Sequence, residues 1–389
     1  MERRSFLLGA GTLLLGQLLA GCRGSQRETL KVRLLKNSIP VQLLNEFRKS
    51  YQKSPALDFA PESQLKELFE SLKTWQETGE KESSKGLRLP FFQPKAPVIP
   101  DLVTLGDYWL QSAIQQQLIQ PLATDKLKSW QQLPPQWQEV VKRNNQGQLD
   151  ASGSVWGAAY RWGTTVIAYR RDKFKSLGWT PSDWSDLWRP ELRDRISLLD
   201  QPRETIGLTL KRLGYSYNTP QLDKVPDLKD TLKKLHQQAK LYSSDNYLQP
   251  LIMGDTWLAV GWSTDVIDLM KSDREIAAVV PLSGTALWAD LWVQPKSAGA
   301  KSNSAAQVLA QEWIDFCWQP KPASAISLFT RAVSPVLVDM KPDDIPKDIR
   351  ENPLLLPNPQ IIQKSEFIHP LPTATEKQYT SLWKEIRQG

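Results

Sequence analysis

The sequence predicts an α/β protein in which two lobes face a cleft. Segments with strand character alternate with amphipathic segments of helical character, a pattern typical of a mixed sheet flanked by helices. The 389 residues suit two domains. Hydrophobic residues make up 40% of the chain and charged residues 23%, which is an ordinary globular composition. We therefore expect a ligand site at the boundary between the lobes.

Hydrophobic periodicity assigns the elements in order. The expected strands are Lys31–Leu35, Leu102–Leu105, Val155–Tyr169, Ile196–Leu199, Trp257–Gly261, Ile276–Val280 and Ala289–Gln294. The expected helices are Pro40–Lys53, Glu62–Trp75, Arg203–Leu213, Asp227–Leu241, Ser304–Trp318, Ala323–Arg331 and Thr373–Arg387. Ser182 is expected to cap a further short helix, because its hydroxyl can accept a bond from a backbone N–H of the first turn.

The order of the elements divides the chain into three expected parts. The first lobe is placed at 31–155, the second lobe at 156–288, and a return to the first lobe with C-terminal helices at 289–389. Residues 78–86 are rich in Gly, Ser and charge, and residues 87–100 carry four prolines. This composition predicts a loop insertion over 78–98.

The N-terminus has the features of an export signal, so residues 1–21 are set apart from the fold. Arg3 and Arg4 precede a short apolar stretch that is too short to span a membrane comfortably. Leu19-Ala20-Gly21-Cys22 resembles a bacterial lipoprotein cleavage box, which predicts lipidation of Cys22 and a tether over 22–30. A plain signal peptide is the alternative. The paired arginines resemble a twin-arginine signal and also fit the general secretory route.

Composition and motifs argue against several classes of protein. The net charge of +7 comes without a basic cluster interleaved with aromatic residues, so no nucleic-acid partner is expected. Two histidines and two cysteines leave little for a metal or His-driven site, and no metal or cofactor is expected. The sequence contains no nucleophile elbow, phosphate-binding loop or zinc-protease motif. Asp183 and Asp186 lie near a helix start, where capping explains them. Cys317, among aromatic residues, is expected to be buried and inert.

Binding chemistry is suggested by aromatic residues placed beside turns and acids. The chain has 16 tryptophans, which either fill the core or line a binding surface. Trp288 and Asp290 are two apart in an expected strand and therefore point to the same side. An indole face and a carboxylate are the groups that hold an ammonium, and cation–π contact contributes about 0.5–2 kcal/mol. A role in the core is the alternative for each tryptophan.

A set of motifs from Trp156 onward resembles the periplasmic polyamine-binding proteins, the spermidine/putrescine receptors of ABC importers. The motifs are Tyr160-Arg161-Trp162-Gly163-Thr164-Thr165, Trp184-Ser185-Asp186-Leu187-Trp188, Arg203-Glu204, Leu213-Gly214-Tyr215, Ser244-Asp245-Asn246 and Leu287-Trp288-Ala289-Asp290. The resemblance implies a two-lobe periplasmic solute-binding fold of type II, with mixed sheets flanked by helices. It also implies a polyamine-like ligand, an ABC permease as partner and a place on the periplasmic side of the cytoplasmic membrane. The ligand positions it implies are Tyr108, Glu204, Ser244, Trp262, Trp288 and Asp290.

Four positions depart from the family pattern. Leu35, Gln201, Ala332 and Ile368 stand where the family has binding residues. The loss at Gln201 removes one carboxylate, for which Asp107 is a possible substitute. The ligand is therefore expected to be a polyamine, a shorter or differently charged amine, or another small solute.

Three other functions are weighed against this hypothesis. An anion or ferric-iron receptor of the same fold is disfavoured because the nine tyrosines include no adjacent pair and the named cleft residues are acidic. A lipoprotein that acts through protein contacts is favoured by the missing half of the binding residues. A hydrolytic enzyme comes last, because no nucleophile–base pair is in evidence.

Overall fold

A computed structural model gives the fold and describes residues 28–51, 54–83, 98–296 and 304–388. The strands are β1 (Thr29–Leu35), β2 (Ala56–Glu62), β3 (Leu102–Gly106), β4 (Ile119–Gln120), β5 (Lys142–Arg143), β6 (Ser154–Val155), β7 (Ala158–Arg170), β8 (Ile196–Leu198), β9 (Ala239–Tyr242), β10 (Leu258–Trp262), β11 (Ile276–Val279), β12 (Ala286–Pro295) and β13 (Glu366–Phe367).

The helices flank this mixed sheet. They are α1 (Val41–Ser50), α2 (Leu65–Ser83), α3 (Asp107–Gln115), α4 (Pro135–Glu139), α5 (Arg171–Leu177), α6 (Pro202–Arg212), α7 (Leu228–Gln238), α8 (Gln249–Met253), α9 (Ser263–Ser272), α10 (Ser304–Cys317), α11 (Pro320–Thr330), α12 (Lys347–Arg350), α13 (Pro359–Lys364) and α14 (Thr373–Gln388). The prediction of an α/β fold with mixed sheets is confirmed.

One long strand, β7, belongs to both lobes. The strand order is β2-β1-β3-β12-β7-β10-β8-β9. The first half of β7 pairs with β12 as far as Thr164, and the second half pairs with β10 from Thr165 onward. The chain thus changes lobes inside a strand, which places a junction at the point where the neighbour of β7 changes.

In each lobe, parallel strands end at the junction. In the first lobe, β1 pairs in parallel with β2 and β3. In the second lobe, β8 pairs in parallel with β9 and β10. Loops that follow the carboxyl ends of such strands form the ligand crevice of open α/β sheets. The fold therefore brings two sets of strand ends to one region.

The C-terminal segment crosses back to the second lobe. Tyr379, Trp383 and Ile386 of α14 are buried in one apolar cluster with residues of α6 and α7. The carboxylate of Glu366 accepts bonds from the Ser216 hydroxyl and the Tyr217 backbone N–H, both at 2.8 Å. The part predicted at 289–389 is thus divided, because α10 and α11 pack on the first lobe near β1 and β7.

Several local expectations need correction. Helix α2 continues through Ser83, inside the loop expected at 78–98, in a segment whose glutamates and lysines have good helix propensity. Residues 84–97 lie outside the described residues. The helix expected to reach Leu241 ends at Gln238, because residues 239–242 pair with β8 as β9. Strand β1 begins at Thr29, inside the range of 22–30 expected for the tether.

Other local predictions concern capping and the free cysteine. The short helix after residue 182 is capped by Asp183 and not by Ser182, since the Asp183 carboxylate accepts the Trp184 N–H at 2.8 Å. The capping role of Asp183 and Asp186 is confirmed by a reciprocal capping box. Cys317 is fully buried, and burial raises its pKa far above the ordinary value, as expected of an inert thiol. Cys22 and the expected signal lie outside the described residues.

Candidate functional site

Three strands bring the predicted binding residues together at the lobe junction. Within the β12–β7 pair, Trp288 lies opposite Gly163 and Asp290 lies opposite Arg161. Asp290 also lies opposite Gly106, the last residue of β3. The end of β3 and the middle of β12 therefore share one surface with β7.

The indole ring of Trp288 packs directly against the backbone of Gly163. A Cβ at residue 163 would clash with the indole of Trp288, so only glycine allows this close approach. The indole is half-buried, and its Nε1 has no hydrogen-bond partner among the described residues. Part of a flat aromatic face is thus available at the junction, while the indole N–H is buried and unpaired within the described part of the chain.

Glu204 presents a buried carboxylate from the second lobe. It lies in the first turn of α6, where Pro202 pre-organises the helix start and the dipole favours an acid. Its side chain is 5% exposed and accepts bonds from the Thr165 hydroxyl at 3.1 and 3.2 Å. Burial raises the pKa of Glu204 to about 7, against the opposing effect of the Thr165 bond.

Asp107 presents a second carboxylate from the first lobe. It follows β3 directly and accepts the backbone N–H of Ala289 at 3.0 Å. Burial raises the pKa of Asp107 to about 7, although the Ala289 bond and the charge of Arg143 oppose the rise. Each of these two carboxylates can therefore exchange a proton near neutral pH.

The carboxylate of Asp290 is already occupied. The guanidinium of Arg161 holds its Oδ2 atom through Nε at 2.7 Å and through Nη2 at 2.5 Å. Asp290 is 2% exposed and Arg161 is 6% exposed. Separation of a buried pair leaves an uncompensated charge, which costs several kcal/mol.

Two further guanidinium groups surround the site. Arg143 is 2% exposed and donates to the Val140 carbonyl at 2.7 Å. Arg203 donates to the His369 carbonyl at 2.9 Å. Burial and the nearby Arg143 charge lower the pKa of His369 to about 4, so its imidazole is neutral at pH 7. The site thus combines acidic groups with cations that are already anchored.

The described part of the chain contains neither a candidate metal centre nor a candidate membrane-spanning helix. No group of three or more His, Cys, Asp or Glu side chains there is arranged to hold a metal ion. Among the helices in the described ranges, none combines the length and apolar character that a membrane crossing requires.

Comparison with known proteins identifies the family. The sequence profile described as "Bacterial extracellular solute-binding protein" matches residues 98–364, more than half of the chain. The chain belongs to this family. It is a family of solute-binding proteins and not a family of enzymes.

Two relatives of this solute-binding protein cover about three quarters of its length or more. The spermidine/putrescine-binding periplasmic protein of Salmonella typhimurium is 24% identical over 383 residues, covering 98% of each chain. The putrescine-binding periplasmic protein PotF of Escherichia coli is 24% identical over 310 residues, covering 74% of this chain and 78% of that protein.

The fold is shared with solved structures. The spermidine/putrescine ABC transporter substrate-binding protein PotD of Streptococcus pneumoniae superposes with a TM-score of 0.75 at 20% identity, covering 93% of this chain and 99% of that chain. The predicted two-lobe solute-binding fold is therefore confirmed.

Four of the six predicted ligand positions in this solute-binding protein lie at or after the ends of strands. Glu204, Ser244 and Trp262 come after or at the ends of β8, β9 and β10. Tyr108 follows β3 and is 65% exposed. The Ser244 hydroxyl is buried without a partner among the described residues.

Sequence reasoning missed the cations of the site. Arg161 was within a quoted motif, and its position two residues before Gly163 in a strand places it on the side of Trp288 and Asp290. That alternation identifies the face of β7 that Arg161 shares with Gly163, but the pairing with Asp290 depends on the register between β7 and β12, which no local pattern gives. Arg143 and His369 join the site from distant segments, so no local pattern marks them.

Proposed function

We propose that this solute-binding protein is the receptor of an ABC importer and binds a small organic cation of the polyamine class. The names of its relatives include spermidine and putrescine as ligands. The observation that carries the proposal is that Glu204 lies within reach of the half-buried Trp262 and of the Asp107 charge, while Asp107 is bonded to the strand that carries the half-buried Trp288.

The proposed ligand positions have distinct roles. The indoles of Trp262 and Trp288 cover the methylene chain and the ammonium groups, since both contacts suit an aromatic face. Glu204 and Asp107 accept charge-assisted hydrogen bonds from the ammonium groups. The Ser244 hydroxyl offers a further acceptor, and the exposed Tyr108 covers the entrance. Asp290 belongs to the site through Arg161, whose orientation it fixes.

The proposal includes the location and the partner. The N-terminal sequence supports export and lipidation at Cys22, which would hold the protein on the periplasmic side of a bacterial cytoplasmic membrane. A membrane permease would receive the ligand from the closed receptor. In this proposal the boundary expected between 31–155 and 156–288 moves into β7, to the point between Thr164 and Thr165 where its neighbour changes, with β7 and β12 as connections. No catalytic role is proposed.

Calorimetric titration of the purified protein with putrescine, cadaverine, spermidine, amino acids and phosphate tests the proposal. We expect saturable binding of an amine and none of phosphate. Glu204→Gln should weaken amine binding at least tenfold, while Glu191→Gln, at an exposed acid remote from the junction, should leave it unchanged. Binding of another solute with no amine response would contradict the amine assignment, and binding of no solute would favour a role through protein contacts.

A further inference from the structure

The Arg161–Asp290 ion pair is built into adjacent strands of the junction. The two residues face each other across the β7–β12 pair, on the side that carries Trp288 and Gly163. Their contacts of 2.7 and 2.5 Å and their near-complete burial exclude water. In a low-dielectric site such a pair does not exchange freely with solvent or with an incoming cation.

Asp290 is the counter-ion of Arg161. Within the described ranges, Asp290 is the acid that forms an ion pair with Arg161 within 4.0 Å. Asp265 is close enough to feel the Arg161 charge, but its carboxylate accepts the Tyr247 hydroxyl at 2.7 Å. The Arg161 guanidinium thus stands where a ligand ammonium would otherwise meet Asp290.

Two acidic groups remain for a ligand. Asp107 and Glu204 form no ion pair within 4.0 Å among the described residues, and they come from opposite lobes. Arg143 and Arg203 lie close enough to influence them, and each guanidinium is anchored to a backbone carbonyl. The acids Asp265 and Glu376, also near the site, each lie in the field of a guanidinium, Asp265 in that of Arg161 and Glu376 in that of Arg203. A third ammonium would therefore meet a cation at either of them.

We propose that Arg161 is a built-in counter-ion that occupies Asp290 and makes the site select a diamine over a triamine. One ammonium of the diamine meets Asp107 in the first lobe and the other meets Glu204 in the second lobe. This inference rests on the proposed function, because it assigns the charge of the amine that the same site takes.

Competition calorimetry with putrescine and spermidine tests the selection. We expect the wild-type protein to bind putrescine at least tenfold more tightly than spermidine. Arg161→Met frees Asp290, so it should shift the ratio of the two affinities at least tenfold toward spermidine. Arg170→Met provides the matched control, since Arg170 lies at the far end of β7 and pairs with Asp172; it should leave the ratio unchanged.

The double variant Arg161→Met/Asp290→Asn removes the buried charge of both partners and serves where the single variant fails to fold. We expect it to keep the wild-type preference for putrescine, because it removes Arg161 without leaving a charged Asp290 for a third ammonium. A shift of the affinity ratio toward spermidine in the folded double variant, as large as that of Arg161→Met, would show that the Asp290 charge does not set the selection and would overturn the inference. Equal binding of both amines by wild type, with no change on Arg161→Met, would also overturn it while leaving the amine receptor intact. Binding of neither amine would end both proposals.

Discussion

The Asp107 carboxylate accepts a hydrogen bond from the backbone N–H of Ala289, at 3.0 Å. Ala289 lies between Trp288 and Asp290 in β12, so this bond fixes the acid that ends β3 against the strand that carries the indole. The carboxylate has lone pairs left for a ligand. Asp107 is thus both a structural acceptor and a candidate ammonium partner, and substitutions can separate the two roles.

Asp107→Asn and Asp107→Ala should differ in stability and agree in affinity. Asparagine keeps an acceptor for the Ala289 N–H, whereas alanine leaves that donor unsatisfied, which costs about 1–3 kcal/mol. Both remove the charge and should weaken amine binding at least tenfold. Urea denaturation and calorimetry measure the two effects; an Asn variant with full affinity would remove Asp107 from the ligand site.

Amine affinity should rise with pH and level off above about pH 7. Burial raises the pKa of Asp107 and of Glu204 to about 7, so both bind protons that a cation must displace. From pH 8 to pH 6 the affinity should fall about tenfold if one group is coupled and about a hundredfold if both are. Glu204→Gln should flatten the profile, which calorimetry over pH 5.5–8.5 would measure. A flat wild-type profile would contradict the assignment.

The Asp107 and Glu204 carboxylates should make the ligand-free protein less stable as the pH rises, whereas they make amine binding tighter. Since their folded pKa values lie above the unfolded values near 4, their contribution to stability is complete below about pH 4 and is lost as the pH rises to about 7. Denaturant titrations of wild type and of the Asp107→Asn/Glu204→Gln variant should therefore show a smaller pH dependence in the variant over this range. An equal pH dependence of the unfolding free energy in both proteins would show that these two carboxylates do not cause it.

Trp288→Ala should weaken amine binding roughly 2- to 30-fold, the equivalent of about 0.5–2 kcal/mol of cation–π contact. Trp179→Ala is the control, because Trp179 is also half-buried but stacks on Arg189 at 3.9 Å, beyond the other end of β7. Calorimetry should show unchanged binding in the control. Equal losses in both variants would indicate a general structural effect.

Trp383→Ala should destabilise the protein by about 3–5 kcal/mol with little change in affinity while it stays folded. Trp383 is buried at 8% exposure and contacts Tyr242 edge-on at 5.2 Å. Lys384→Ala, one residue on and exposed, should change the unfolding free energy by less than about 0.5 kcal/mol. Urea denaturation measures both; a small effect of Trp383→Ala would contradict the packing of α14 on the second lobe.

The sequence predicted the helices and strands better than it predicted which of them pair with each other. Apolar runs located β3, β8 and β10, which are buried along nearly their whole length, and hydrophobic periodicity located α2, because both signals lie in the local sequence. The end of α7 was wrong because a strand partner, β8, decides it. The spacing of Trp288 and Asp290 placed both residues on one side of the strand. The position of Arg161 opposite Asp290 depends on the register between two strands whose paired residues are 129 apart in sequence. Local pattern predicts which side chains share a face and cannot predict which charge lies opposite.

The passage of β7 through both lobes, the return through β12 and the later return through Glu366–Thr373 join two bodies by three covalent links. Sliding of one lobe along the other would stretch at least one backbone link, whereas a bend near Thr164 and Thr165 changes a few dihedral angles. The movement of the lobes during capture of a solute should therefore be described by one variable, the angle between the two lobes. Distances between probes on the two outer faces should all change in proportion to that angle.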